Sequence, residues 1–428
     1  MARPGWRLTI ILPAWFALAL AAYGSNGRTL YTGDSIATAL IPVAVLLDGT
    51  VMLDRFAAEE LARPVHYWIR QTPRGVASFY PAAMGVVATP FMAGPILWER
   101  WTRPDLSPAE WRNLAVDHWQ KWAAAIIAAL AVVVFRYVAW ALGFAAPLAF
   151  ALTLLFAFGS ELMAVSSQSL WQHGPGTLLI LGALACLVRP GAPGRPGALL
   201  LGICLGLAVA VRLPNLAFAA PLFLVALRRH PARAMLAAGA GAAMLGPQLA
   251  WNLWTFGSLL GGYQRAARHL RPDLLLSNLP GVLASPARGL LIFFPATLLL
   301  AALLAARPAV LRRDLAMALA GGIILQLVVG ASWAQWWGGW SYGPRYMAEL
   351  QGPLLLLLGL AWPQARAGRI AAWAALALAI LVSVPIQVAG AYSPAAGGWD
   401  ADPPIDQHLE RLWDFGDTPY LRALRANL

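Results

Sequence analysis

Charge is what this sequence has least of. Asp, Glu, Lys and Arg make up 12% of its 428 residues, against roughly 25% in a soluble domain. One soluble core could not hide the 60% that are hydrophobic, at mean hydropathy +0.63. The chain therefore belongs in lipid. Cysteine is scarce too: Cys186 and Cys204 both lie in apolar runs and no CxxC occurs. Neither a metal nor a redox site is suggested. No internal repeat and no separate soluble domain stands out.

The scarcer sign of charge is negative: 19 acidic residues face 31 basic ones, for a net +12 that is almost all arginine. Arginines clustered on one face would suggest nucleic acid. Here they are scattered between apolar runs, so no nucleic-acid partner is expected. Anionic headgroups and phosphate-bearing lipids fit better.

What is present is long apolar segments. In hydrocarbon every backbone group must be bonded internally, which leaves helices or a closed barrel. The runs are continuous rather than short and alternating, so helices are expected. Twenty tryptophans suit a protein with much membrane interface. Arg3 and Arg7 precede an apolar stretch ending in small residues, as in a signal sequence. Further spans follow, so an uncleaved anchor is expected, with Asp34 outside the cytoplasm.

Expected spans run Leu8–Gly24, Trp119–Leu142, Pro147–Val165, Gly174–Val188, Ala198–Val211, Leu216–Leu227 and Ala234–Trp254. Gly289–Ala305, Leu315–Trp333, Leu350–Trp362 and Ile370–Ala391 complete the set. This makes about eleven spans near or somewhat below the roughly 20 residues a crossing needs. Within the first external loop, 25–118, Ile36–Leu47 and Val51–Leu61 look like short amphipathic helices. Phe79–Trp98, broken by Pro81, Pro90 and Pro95, is read as lying on or dipping into the surface. With it left out, the basic loops at Arg189/Arg195, Arg228/Arg233, Arg307/Arg313 and Arg366/Arg369 all fall inside, as the positive-inside rule asks. Arg136 is expected to snorkel, since a central Arg costs roughly 2.5–3.5 kcal/mol. The tail 392–428 is expected to be a polar cap. The whole, 1–428, reads as one membrane-embedded unit with its unusual polar motifs on one side.

Those motifs are Gly33-Asp34, Tyr80-Pro81, Ser169-Leu170-Trp171-Gln172-His173, Asn252 to Ser258, Ser285 to Gly289, and Trp336-Trp337-Gly338-Gly339-Trp340-Ser341-Tyr342-Gly343-Pro344-Arg345-Tyr346. In this order and on one face, they resemble the GT-C membrane glycosyltransferases. The nearest branch is that of protein O-mannosyltransferases and aminoarabinose transferases. Protein O-mannosyltransferases usually carry Asp-Glu in the first loop; here Ser35 follows Asp34. The resemblance covers nearly the whole chain. It implies an all-α polytopic bundle and transfer of a sugar, with inversion, from a polyprenyl-phosphate carrier to a hydroxyl at the periplasmic face of a bacterial inner membrane. The partners implied are the lipid-linked donor, a hydroxyl acceptor and membrane lipids. No cofactor is obligatory.

A hydroxyl is a poor nucleophile until a base takes its proton, worth roughly 10²–10⁴-fold. Read alone, Gly33-Asp34 is a turn or a helix cap; the family layout makes Asp34 the candidate base, ahead of Asp48 and Asp54. The leaving phosphate gains charge that a fixed guanidinium can stabilise. Arg345, Arg288 and Arg212 are the candidates, against plain interfacial snorkelling. His173, Trp337, Trp340, Tyr342 and Tyr346 are candidate substrate contacts; an aromatic belt is the bland reading of the rings. Glu161 would line a cavity. The tail acids Asp400, Asp402, Asp406, Glu410, Asp414 and Asp417 could bind a divalent cation, but their spacing fits no ligand pattern, and a solvated cap over the active face is the default. The rivals are a transporter or flippase, which would place ionisable groups at mid-membrane, a non-catalytic assembly factor that would not require Asp34, and a polymerase or ligase using a pyrophosphate-linked glycan.

Overall fold

The run Ala348–Leu360 is apolar almost all round, and such a helix belongs inside a bundle. In the computed structural model of the protein, which describes residues 6–189, 191 and 194–426, it lies there, buried at every position except Leu360. Around it, in chain order, stand α1 (Trp6–Gly24), α2 (Gly33–Asp48), α3 (Ala57–Leu61), a hairpin of β1 (Ile69–Thr72) and β2 (Gly75–Ser78), and α4 (Ala82–Thr102). Next come α5 (Pro108–Asn113), α6 (Gln120–Ala141), α7 (Ala146–Phe158), α8 (His173–Val188), α9 (Arg195–Val211), α10 (Leu216–Arg229) and α11 (Pro231–Phe256). Then follow α12 (Tyr263–Ala266), α13 (Leu275–Ala284), α14 (Leu290–Phe293), α15 (Ala296–Ala306) and α16 (Asp314–Ala331). The central helix is α17, and α18 (Arg366–Tyr392), α19 (Pro394–Gly397) and α20 (Pro419–Ala426) close the chain.

Among the described residues, the stretches Pro108–Ala141, Asp314–Ala331 and Arg366–Tyr392 are long and apolar enough to cross a membrane, and further apolar helices of 10–17 residues accompany them. The architecture is that of an all-α polytopic membrane protein. Lipid gives helices no hydrophobic reason to associate, so small residues let backbones approach. Gly202 and Gly206 of α9 do this against Ala237 and Gly241 of α11: an added Cβ would lie 2.0 Å from the Ala237 carbonyl oxygen and 2.3 Å from that of Gly241.

Several expectations need correction. The first loop holds an antiparallel hairpin pairing Ile69 with Ser78, which no apolar run announced. Val51–Leu61 is a 3-10 turn, Asp54–Phe56, followed by the five-residue α3. Pro90 and Pro95 do not break α4, which runs 21 residues with Met84, Gly85, Ala88, Met92 and Ile96 buried. Gly85 lets it close on α2, since a Cβ there would meet Ile41 at 2.4 Å. The second long span starts early, because α5, a π-helical stretch at Leu114–Trp119 and α6 run on from one another. Pro147–Val165 stops at Phe158 and turns through a second π-helical stretch, Leu162–Ser166. Gly289–Ala305 is divided at Phe294-Pro295 into α14 and α15, because Pro lacks the N–H that would continue a helix. Arg136 is buried at 6% exposure rather than snorkelling to a surface. The tail, expected as a polar cap, packs on the bundle through buried Trp399, Ile405 and Leu412, which is no correction. Arg3 and Pro190 lie outside the described residues.

Candidate functional site

Asp34 sits in the first turn of α2, where a carboxylate suits the unpaired N–H groups of a helix start. Gly33 brings two aromatic residues over it: a Cβ at 33 would lie 2.5 Å from the Trp68 ring and 2.6 Å from the Tyr67 hydroxyl. Tyr67 Oη donates to Asp34 Oδ1 at 3.1 Å, and Tyr80 Oη donates to the same oxygen. Their segment is fixed from behind. Buried Glu60 accepts from Trp68 Nε1 at 2.6 Å and from Arg112 Nε at 2.7 Å. This ties the approach to the hairpin to α5. Asp48 and Asp54 are spent on structure: Asp48 pairs with Arg55, and Asp54 Oδ1 accepts the Val76 N–H at 2.8 Å.

The other oxygen of Asp34 meets the second element. Gly338, Gly339 and Gly343 have φ of 81°, 67° and 61°, the left-handed region that glycine fills without strain. They fold Trp336–Pro344 back over the bundle and deliver Arg345 at the foot of α17. Arg345 Nη1 donates to Asp34 Oδ2 at 2.7 Å. Its guanidinium lies 4.8 Å from the centre of the Trp171 ring and 5.4 Å from that of Tyr346. The Arg345 and Asp34 side chains keep 11% and 20% of their surface exposed. Burial pushes the Asp34 carboxyl up, but Arg345 and the two tyrosine hydroxyls more than offset it, so the group sits below the ordinary carboxylate range. Asp34 is ionised at neutral pH. The Tyr80 and Tyr67 hydroxyls are pushed up, by burial first and by Asp34 second, and stay protonated donors.

Trp171-Gln172-His173 joins this pair to a deeper layer. Trp171 stacks on Arg345, and Gln172 Oε1 accepts from Tyr263 Oη at 2.7 Å. Tyr263 in turn rests 6.2 Å from the Tyr80 ring. His173 Nδ1 stands 3.1 Å from both oxygens of Glu349, and Arg212 Nη1 donates to Glu349 Oε1 at 3.0 Å. The structure thus places His173 and Arg212 together on a buried acid rather than on Asp34. Glu349 escaped sequence reasoning. The signal was there: an acid at the head of a leucine-rich span, four residues past Arg345.

Arg288 is occupied elsewhere. It pairs with Asp400, donates from Nε to the Trp337 carbonyl at 3.2 Å and from Nη1 to the Ala287 carbonyl at 3.0 Å, and stacks 5.0 Å from Trp399. All three of its nitrogens are engaged. Burial pushes the Asp400 carboxyl up to about 6 in spite of Arg288. Arg345 differs: its buried Nε has no partner among the described residues. The aromatic cluster divides. Trp337 and Trp340 donate to Asp406 at 3.2 and 3.0 Å, Tyr342 donates to the Ile386 carbonyl at 2.5 Å, and Tyr346 lies against Arg345. Glu161 is fully buried, with its Oε1 accepting from Gln387 Nε2 at 2.8 Å. It abuts Gly343, where a Cβ would come within 2.5 Å of Oε1. Among the described residues no group of three or more His, Cys, Asp or Glu side chains is placed to hold a metal ion. In the tail, Asp417 pairs with Arg411 and Arg422, and Glu410 with His408.

The bundle that holds this pair has the polytopic GT-C membrane fold. The chain is similar over 99% of its length to ArnT from Cupriavidus metallidurans bound to undecaprenyl phosphate, covering 75% of that chain at TM-score 0.53 and 13% identity. It aligns with the oligosaccharyltransferase of Archaeoglobus fulgidus, in complex with Zn and sulfate, over 96% of its length and 57% of that chain (TM-score 0.46, 15% identity). It aligns with the sugar-donor-bound Pmt1-Pmt2 protein O-mannosyltransferase complex of S. cerevisiae over 64% of its length and 36% of that chain (TM-score 0.36, 14% identity). No family model and no curated protein matches the chain.

Proposed function

We propose that the protein is an inverting glycosyltransferase that moves a hexosyl or pentosyl unit from a polyprenyl-phosphate carrier to a hydroxyl acceptor at the periplasmic face of a bacterial inner membrane. The observation that carries this reading is the Asp34–Arg345 pair, one ionised carboxylate and one partly engaged guanidinium, both reaching solvent. The donor phosphate competes with Asp34 for Arg345, whose planar fork suits phosphate oxygens. Once the guanidinium turns to phosphate, Asp34 loses the strongest influence that holds its proton affinity down and becomes a better base. The acceptor hydroxyl gives its proton to Asp34 and bonds to the anomeric carbon. The carbon–oxygen bond to the phosphate breaks on the opposite side, and the phosphate leaves against Arg345. Tyr67 and Tyr80 hold the carboxylate in place.

A cleft of about 180 Å³ lies between β1 and the Gly261-Gly262 turn, with Arg70, Gln71, Thr72, Phe256 and Gln264 on its walls. It is bounded by the segments that carry Tyr67 and Tyr263. The test is incubation of purified protein with labelled polyprenyl-phosphate sugars and candidate hydroxyl acceptors. Release of polyprenyl phosphate matched by labelled product supports the reading; donors recovered intact, or turnover of pyrophosphate-linked donors alone, would refute it.

A further inference from the structure

At the other end of α8 from His173, some 16 residues and roughly 24 Å along the helix, lies a cavity of about 290 Å³. The end of α8, the first turns of α9 and α11 and the last turn of α10 enclose it. Arg189, Arg229, Arg233 and His230 line it, and among the described residues no carboxylate does. Asp314, outside the lining, neutralises Arg229 through contacts of 2.7 and 2.6 Å. Arg189 and Arg233 have no carboxylate partner among the described residues. The lining also has an apolar part, with Leu142, Leu187, Leu201 and Leu315. The positive-inside rule explains arginines in a short loop. It does not explain why arginines from two different loops converge on one hollow with a partly greasy lining.

We propose that this cavity binds the phosphate headgroup of an anionic glycerophospholipid from the cytoplasmic leaflet, with an acyl chain laid along the apolar part of the lining. Basic pockets between spanning helices on this side of a membrane attract such headgroups. A soluble anion would satisfy the guanidiniums and leave that apolar part wet. The site is independent of the chemistry at Asp34.

The test uses the purified full chain in detergent, with bound lipid counted by native mass spectrometry. Phosphatidylglycerol is expected to be retained at least tenfold over phosphatidylcholine. R189Q/R233Q is expected to lose that preference at least tenfold, while R189K/R233K and the exposed-loop control R312Q/R313Q keep it. Cys186 lines the same cavity, so in the unmodified protein phosphatidylglycerol should slow its alkylation and phosphatidylcholine should not. Equal retention of both lipids, equal loss in the control variant, an unchanged alkylation rate, or displacement of the lipid by millimolar inorganic phosphate would overturn the assignment.

Discussion

The Trp171-Gln172-His173 segment joins two acid–arginine pairs, and they differ in how far water reaches them. Arg212–Glu349 is sealed, at 7% and 0% side-chain exposure, with His173 on the same carboxylate. Arg345–Asp34 stays ajar at 11% and 20%. A sealed pair is costly to open, because each partner would be left charged and unpaired away from water. A pair that water still reaches can exchange one partner for a substrate ion. The same chemistry therefore serves as a structural tie in one place and, in the proposed reading, as a working pair in the other. Arg288 shows the structural extreme, 1% exposed with every guanidinium nitrogen engaged.

Breaking the sealed pair gives the largest effect expected on folding. Glu349→Ala strands Arg212 and His173 together and should destabilise the protein by about 3–5 kcal/mol. Thermal unfolding and the yield of monodisperse protein check this. Arg345→Gln should behave in the opposite way, leaving unfolding nearly unchanged and slowing transfer by about 10²–10³-fold, the usual loss for one donor to developing charge. It also moves the acid limb of the kcat/KM pH profile, which reports the enzyme before donor draws Arg345 from Asp34. Asp34 must be ionised to accept a proton, and its proton affinity is now held down. Activity should thus fall on acidification only below the ordinary carboxylate range. Without the guanidinium, burial acts unopposed by it, and the limb should shift to higher pH. Tyr80→Phe sharpens the comparison least. It removes one hydrogen bond to a charged acceptor, about 1.5–3 kcal/mol, and should slow transfer by roughly 10–150-fold with the acid limb moved upward in the same sense.

The bundle was legible because lipid imposes long apolar runs, and these can be counted. Asp34 and Arg345 were legible as motifs, 311 residues apart in the chain and bonded in space. What lay between the runs was not. The β1–β2 hairpin is short and has no clean alternation to announce it. Its anchor, Glu60 to Arg112, joins residues 52 positions apart in the chain, a distance no local pattern encodes. Tyr80 was visible only as half of a Tyr-Pro motif, and Tyr67 not at all, because a tyrosine near a membrane is ordinary. Arg288 and Arg212 carried the same sequence signature as Arg345. Only their partners, Asp400 and Glu349, separate them from it.

The most direct measurement is the rate of sugar transfer from a polyprenyl-phosphate donor by Asp34→Asn, made beside the unmodified protein with both shown to be folded. Asn keeps the shape and removes the base. We predict a loss of at least about a hundredfold at an unchanged unfolding temperature. Near-normal transfer by a well-folded Asn variant would contradict the account.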